Sequence, residues 1–270
     1  MNGAGEGARW AMHWDEVAVF DANSASLGFD EYELMKAAGE ALADEVAKNS
    51  GEGDVLFLCG PGNNGGDGFV AACSASLAGT RVSVLSSHES SKTMISSRAR
   101  EMAAKELPIH VWPETPEGDW TLIVDCLLGA GGPAEGTELR PPIIEVINWV
   151  TSTGLPVISC DIPTGLGGPD SLQPIRTVTF HSPKMGMSES GCGEIVVSDL
   201  PWPDEVRNCG IGDANRYPPM GSEASKGDRG RLLVVGGGPY HGAPILSGTA
   251  AARSGCDLVH VAMPEQASSR

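Results

Sequence analysis

At 270 residues, with 41% hydrophobic and only 5% aromatic content, the chain is long for one domain and short for two full ones. Its formal charge of −17 argues against nucleic acid and anionic membrane as partners, because both attract basic surfaces. No apolar run approaches the roughly 18 residues of a membrane span, and the N-terminus lacks the basic-then-apolar order of a signal peptide, so the expectation is a cytoplasmic protein.

After a Gly/Ala-rich start, periodicity predicts a helix from Trp14 to Ala25 and a second from Asp30 to Ala47, with Leu34, Met35, Ala38, Leu42 and Val46 on one face. Asp30, two residues before Tyr32, is placed to cap the second. Val55–Leu58 reads as a buried strand, Cys59–Gly68 as a glycine-rich loop, and Phe69–Leu77 as a helix ended by Gly79. A strand at Arg81–Leu85, a helix over Ser90–Glu106 and a short strand at His110–Trp112 follow. Trp120–Asp125 is an apolar strand that ends on an acid and leads into Leu127–Gly132. A helix over Pro142–Thr151 starts on two prolines. Pro156–Asp161 repeats the pattern of an apolar strand ending on an acid, ahead of Ile162–Leu166, and further strands lie at Arg176–Phe180 and Gly193–Val197. This alternation implies right-handed βαβ units in a mostly parallel, doubly wound α/β sheet. Ligands of such sheets bind at the carboxyl ends of the strands.

The stretch Cys59-Gly60-Pro61-Gly62-Asn63-Asn64-Gly65-Gly66-Asp67-Gly68 joins a strand to a helix, which offers backbone N–H groups to an anion such as phosphate. Its spacing is neither GxGxxG nor GxxxxGK[ST]. Taken alone, it also suits a tight turn in which Asp67 caps a helix. The same topology brings Asp125, Asp161 and Thr164 to the edge that carries Asn63, Asn64 and Asp67, and that convergence marks a site. The Asn64 carbonyl, the Asp125 carboxylate and the Thr164 hydroxyl are neutral oxygens with one carboxylate, a set suited to a large monovalent cation rather than Mg²⁺ or Ca²⁺. Asp161 is then free for proton transfer, with a pKa raised toward neutrality by its strand-end environment. Six histidines without metal-ligand spacing and seven scattered cysteines without a CxxC pair give zinc and covalent chemistry no support. Cys59, Cys126 and Cys160, in or beside apolar runs, read as buried thiols in a reducing compartment.

Cys59–Gly68 with Phe69-Val70, Val124–Gly129, Asp161–Leu166, Thr177–Phe180 followed by Pro183-Lys184, and Leu34–Gly39 resemble the YjeF N-terminal family, the NAD(P)H-hydrate epimerases. The similarity runs over residues 14–203. It implies a Rossmann-like three-layer αβα sandwich that interconverts the R and S forms of NADHX and NADPHX, nicotinamide cofactors hydrated on the ring. It implies substrate contacts from Asn63, Asn64, Gly65, Gly66 and Asp67, and from Gly129, Ala130, Gly131, Gly132, Pro133, Ala134 and Glu135. It further implies one potassium ion per subunit on Asn64, Asp125 and Thr164, and a contact of Asp161 with the substrate near the reacting carbon. There Asp161 reads as the acid that protonates the departing hydroxyl and the base that deprotonates the incoming water. The two N-terminal helices are the expected contact of a homodimer. Thr164 stands where the family usually has Ser, which keeps the hydroxyl. Lys184 reads either as a phosphate holder beside the loop amides or as a surface residue.

A composition break over Gly210–Ser225 sets off a second segment, giving domains at 1–220 and 221–270. Lys226–Gly238, a small-residue helix over Ala243–Ser254 and a strand at Leu258–Ala262 resemble the start of the ADP-dependent NAD(P)H-hydrate dehydratases, a ribokinase-like fold. A segment this short cannot close that fold, so dehydratase activity is not expected. Two other readings stand beside the epimerase. One is a non-catalytic YjeF-type scaffold module. The other is a generic nucleotide-binding or sugar-kinase-like enzyme, suggested by the tail alone.

Overall fold

The computed structural model describes residues 11–130, 138–217, 225–238 and 241–265. The chain divides into two compact units, Met1–Arg216 and Tyr217–Arg270. In the first unit the strands are β1 (Asp54–Cys59), β2 (Val82–Ser86), β3 (Ile109–Val111), β4 (Trp120–Cys126), β5 (Val157–Cys160), β6 (Arg176–Phe180) and β7 (Glu194–Ser198). Its helices are α1 (Trp14–Ser26), α2 (Glu31–Asn49), α3 (Asn63–Leu77), α4 (Met94–Glu106), α5 (Ile143–Thr153), α6 (Glu189–Cys192) and α7 (Ile211–Asn215), with a 3₁₀ turn at Asp204–Arg207.

The seven strands form one parallel sheet in the order β3-β2-β1-β4-β5-β6-β7. Successive strand side chains point to opposite faces. Val55, Phe57 and Cys59 therefore pack with α2, α3 and α4, while Leu56 and Leu58 pack with Ile143, Val146 and Ile147 of α5. Both faces are covered, so β1 is a continuous apolar run, with Val55 through Cys59 at 0% exposure. Full burial of one such aliphatic side chain stabilises the fold by about 1.5–3 kcal/mol. The result is the expected three-layer arrangement.

From β1 the chain moves outward to β2 and β3, then returns to the other side of β1 as β4. That reversal opens a crevice at the carboxyl ends of β1 and β4, where their following loops diverge. α3 begins at Asn63 rather than at Phe69. Periodicity misses its first turn because glycines are poor helix formers. They are required here by close packing: a Cβ on Gly65 would lie 1.9 Å from the Gly60 carbonyl oxygen. α4, by contrast, starts later than expected, at Met94, because the Thr93 hydroxyl accepts the Ser96 N–H at 3.2 Å and fixes the helix start there. Asp30 caps α2 as anticipated, accepting the Tyr32 N–H at 2.9 Å.

α1 is held by Asn23. Its amide donates to Val206 O at 3.1 Å and Asp213 Oδ2 at 3.2 Å, and its Oδ1 accepts the Gly212 N–H at 2.8 Å. Met12, just before α1, is bonded to both Pro183 O and the Met185 N–H, which ties this end of the chain to the loop carrying Lys184.

The second unit is one βαβ: β8 (Arg231–Val235), α8 (Gly242–Arg253) and β9 (Leu258–Ala262), with β8 and β9 parallel. Leu233 is 61% and Val235 75% exposed, so these strands lack the covering that β1 has.

Candidate active site

The loops after β4 and β5 meet through Asp125, near the end of β4. Its buried carboxylate accepts four hydrogen bonds: at Oδ1 from the Leu127 N–H (3.2 Å) and the Thr164 hydroxyl (2.7 Å), at Oδ2 from the Ser159 hydroxyl (3.0 Å) and the Thr164 N–H (2.9 Å). The Leu128 N–H donates in turn to Thr164 Oγ1 at 3.1 Å. Burial pushes the Asp125 carboxyl above its ordinary range against the pull of these bonds. Asn64, in the first turn of α3, is 8% exposed, and among the described residues neither its Oδ1 nor its Nδ2 has a hydrogen-bond partner. Gly129 backs onto it so closely that a Cβ there would lie 3.1 Å from Asn64 Oδ1. A buried amide left unpaired costs about 1–3 kcal/mol, and such groups in folded proteins call for an unseen partner such as a water or an ion.

Asp161 follows β5 with φ of 63°, in the left-handed region that non-glycine residues rarely adopt. Its N–H bonds Val178 O at 2.7 Å. Its Oδ1 lies 2.6 Å from Lys184 Nζ and accepts the Thr179 hydroxyl at 3.4 Å, and Oδ2 accepts the Ala130 N–H at 2.9 Å. Lys184 is 2% exposed, and its ammonium also donates to Thr179 Oγ1 (2.8 Å) and Phe180 O (3.0 Å). Two expectations change here. Burial does push the Asp161 carboxyl up, but the Lys184 charge and the bonds from Lys184, Ala130 and Thr179 outweigh it and hold the carboxyl below its ordinary range. Lys184 is neither a surface residue nor a free ammonium waiting for a phosphate, because its three protons are occupied within the fold.

The remaining residues of the glycine loop divide by environment. Asn63 is exposed, and its Oδ1 accepts the Thr93 hydroxyl at 2.6 Å. Gly65 and Gly66 complete the first turn of α3, whose N-cap, Gly62, supplies no side-chain bond, so the leading N–H groups have no side-chain cap. Asp67 is inside the helix rather than at its cap. Burial, then the charges of Asp161 and Asp21, push its carboxyl well up, with Lys184 opposing. Gly131, Gly132, Pro133, Ala134 and Glu135 lie outside the described residues.

Residues 31–186 match the family of YjeF-related protein N-termini. The chain belongs to that family. Residues 232–270 match NAD(P)H-hydrate dehydratase. Among curated relatives, the chain is similar to the bifunctional NAD(P)H-hydrate repair enzyme Nnr of Hyperthermus butylicus (38% identity, covering 93% of this chain and 50% of the relative). It is also similar to the Nnr of Archaeoglobus fulgidus (35% identity, 92% and 54%). The chain spans about half the length of these relatives. The crystal structure of yeast ynu0, YNL200c, shares the fold, with a TM-score of 0.64 at 22% identity over 80% of this chain and 97% of that one.

In this YjeF N-terminal unit three polar residues escaped the sequence reading. Ser159 and Thr179 sit within apolar strand runs, and both are fully buried; a hydroxyl inside such a run is the signal that would have found them. Asp21, on α1, carries no local signal. Burial, then Glu31 and Asp161, raise its carboxyl to about 6, with Lys184 opposing. A carboxyl with a higher pKa folded than unfolded binds more protons in the native state, so its contribution to stability falls as pH rises from about 4 toward 6. Asp21→Asn is therefore expected to raise the thermal midpoint above pH 6 and to leave it nearly unchanged at pH 4, as read by calorimetry across that range.

Proposed function

We propose that the first unit is an NAD(P)H-hydrate epimerase, interconverting R and S NADHX and NADPHX. The observation that carries this is the Asp161 carboxylate, held ionised by Lys184 at 2.6 Å at the edge of the crevice between β1 and β4. The activity printed for the Nnr relatives supports the same substrate class. Epimerisation at the hydrated ring carbon requires the hydroxyl to leave, assisted by the ring nitrogen lone pair, and water to return on the opposite face. An ionised Asp161 is the base for that water. The uncapped N-terminus of α3, with Asn63, Asn64, Gly65 and Gly66, is the anion-binding end of the site. In a chain of charge −17 such local donors are what an anionic dinucleotide needs. Gly129 and Ala130, with the loop beyond them, flank the substrate.

The orphaned, buried Asn64 carbonyl fits a cation ligand, and one carboxylate among neutral oxygens fits potassium. Asn64, Asp125 and Thr164 would hold that ion, one per subunit. Its charge would offset the buried Asp125 carboxylate and fix the three loops together. The subunits form a homodimer, for which the exposed Leu27 and Phe29 between α1 and α2 offer an apolar contact.

Incubation with R-NADHX in potassium and in sodium buffer tests the proposal. S-NADHX is expected to form in both, faster in potassium. No conversion in either, with RNA retained by the protein on a filter, would favour a scaffold instead.

A further inference from the structure

On the reading that this site epimerises NAD(P)H hydrates, we infer that the segment after β2, through His88, Lys92 and Arg100, holds the adenosine ribose of the dinucleotide and its 2′-phosphate. The chain therefore favours NADPHX over NADHX.

The order of the strands places the two ends of the substrate. Asp161 follows β5 and the anion-binding end of α3 follows β1, with β4 between them. A dinucleotide with its nicotinamide at Asp161 and its pyrophosphate at α3 has its adenosine on the far side of β1, and the strand there is β2. From β5 to β2 the sheet spans roughly 15 Å, a distance that an extended dinucleotide bridges. The segment after β2 is stitched to the glycine loop along that edge. The Ser87 N–H donates to Cys59 O at 2.9 Å, the Lys92 N–H to Pro61 O at 2.7 Å, and the Thr93 hydroxyl to Asn63 Oδ1 at 2.6 Å. The two segments thus form one continuous rim.

Three basic groups gather on it. Arg100, from α4, donates through Nη1 to Ser86 Oγ at 2.9 Å and to His88 O at 2.7 Å, which sets its guanidinium just past the end of β2. His88 Nδ1 lies 2.9 Å from the Ser87 hydroxyl. Burial, then the charges of Lys92 and Arg100, push the His88 imidazole below its ordinary range, so the three groups feel one another. Glu89, exposed on the same segment, is the acid that faces Arg100. Among the described residues of the first unit, Arg100 and Arg176 are the partly buried arginines. Arg176 is paired with Glu45 at 2.7 Å and with Glu194. Arg100 has no carboxylate bonded to it among the described residues, and its Nε–Nη2 edge is left open because both of its hydrogen bonds leave from Nη1. Cations collected without a bonded acid repel one another, and a bound anion relieves that repulsion. A sugar phosphate is such an anion, and an open guanidinium edge meets it as a two-donor fork. NADHX carries a neutral hydroxyl at the same position and gains none of this.

Initial rates with R-NADHX and R-NADPHX at fixed ionic strength give the ratio of their kcat/KM values. Wild type is expected to favour NADPHX, and Arg100→Gln to lower that ratio by about 10–100-fold, as the loss of a charge-assisted bond requires. Lys92→Gln changes an exposed side chain, so the fold is kept, and it should lower the ratio by about 2–5-fold. Calorimetric titration with 2′,5′-ADP and with 5′-AMP reads the same phosphate without turnover. The first should bind wild type more tightly, and the difference should shrink in both variants. Equal kcat/KM for the two hydrates in wild type, or a preference that neither variant moves, overturns the inference. Protein that prefers 2′,5′-ADP yet converts neither hydrate sinks the epimerase reading and keeps the phosphate subsite.

Discussion

Asp161→Asn is expected to lower kcat for R-to-S conversion by about 10²–10⁴-fold while leaving ligand binding measurable. The amide oxygen of Asn can still accept from Lys184 and Thr179, but the buried ammonium loses its counter-charge and the Ala130 N–H loses its acceptor, so the variant is expected to be less stable and its turnover is read under conditions where circular dichroism shows it folded. What is lost is the anionic oxygen that takes a proton from water. Steady-state kinetics alongside a binding titration separate these two effects. Unchanged turnover would remove Asp161 from the chemistry and leave it as a partner that merely settles a buried lysine.

Lys184→Met is expected to cost about 3–5 kcal/mol of unfolding free energy, because it removes one partner of a buried ion pair and leaves the other without compensation. The pH dependence has a definite sign. Asp161 has a lower pKa folded than unfolded, so the pair contributes stability above about pH 4 and loses it as pH falls through the folded value. Urea unfolding of the two proteins should therefore differ most near neutrality and converge in acid. In the same variant the acid limb of the kcat profile should move to higher pH, since Asp161 no longer has an ammonium to hold it ionised. A variant as stable as wild type at neutral pH would mean that the pair is screened by solvent.

Much of the fold was legible because burial on both faces writes itself into the strands. Val55–Leu58 is apolar throughout, Val157–Cys160 is apolar apart from Ser159, and the strand at Arg176–Phe180 falls where the sequence places it. The first turn of α3 was not legible, because its glycines serve contacts with Gly60 and Met35 that no local pattern records. In the site, the edge shared by Asn64, Asp125, Asp161 and Thr164 follows from strands that end on acids. The division of proton states does not. It depends on Lys184 folding back from the loop after β6 and on Asp21 arriving from a helix far away in sequence. Burial alone argues for a raised Asp161, and only the tertiary pairing reverses the sign.

The central claim is that the hydroxyl departs and solvent water returns at a rim served by Asp161. The direct test is R-NADHX conversion in water enriched in heavy oxygen, with the S product analysed by mass spectrometry and corrected for the reaction without protein. The account predicts S-NADHX carrying one solvent oxygen per epimerisation and no such product above background from Asp161→Asn. S-NADHX that retains the oxygen of its substrate, or no S-NADHX from the wild-type chain, would contradict it.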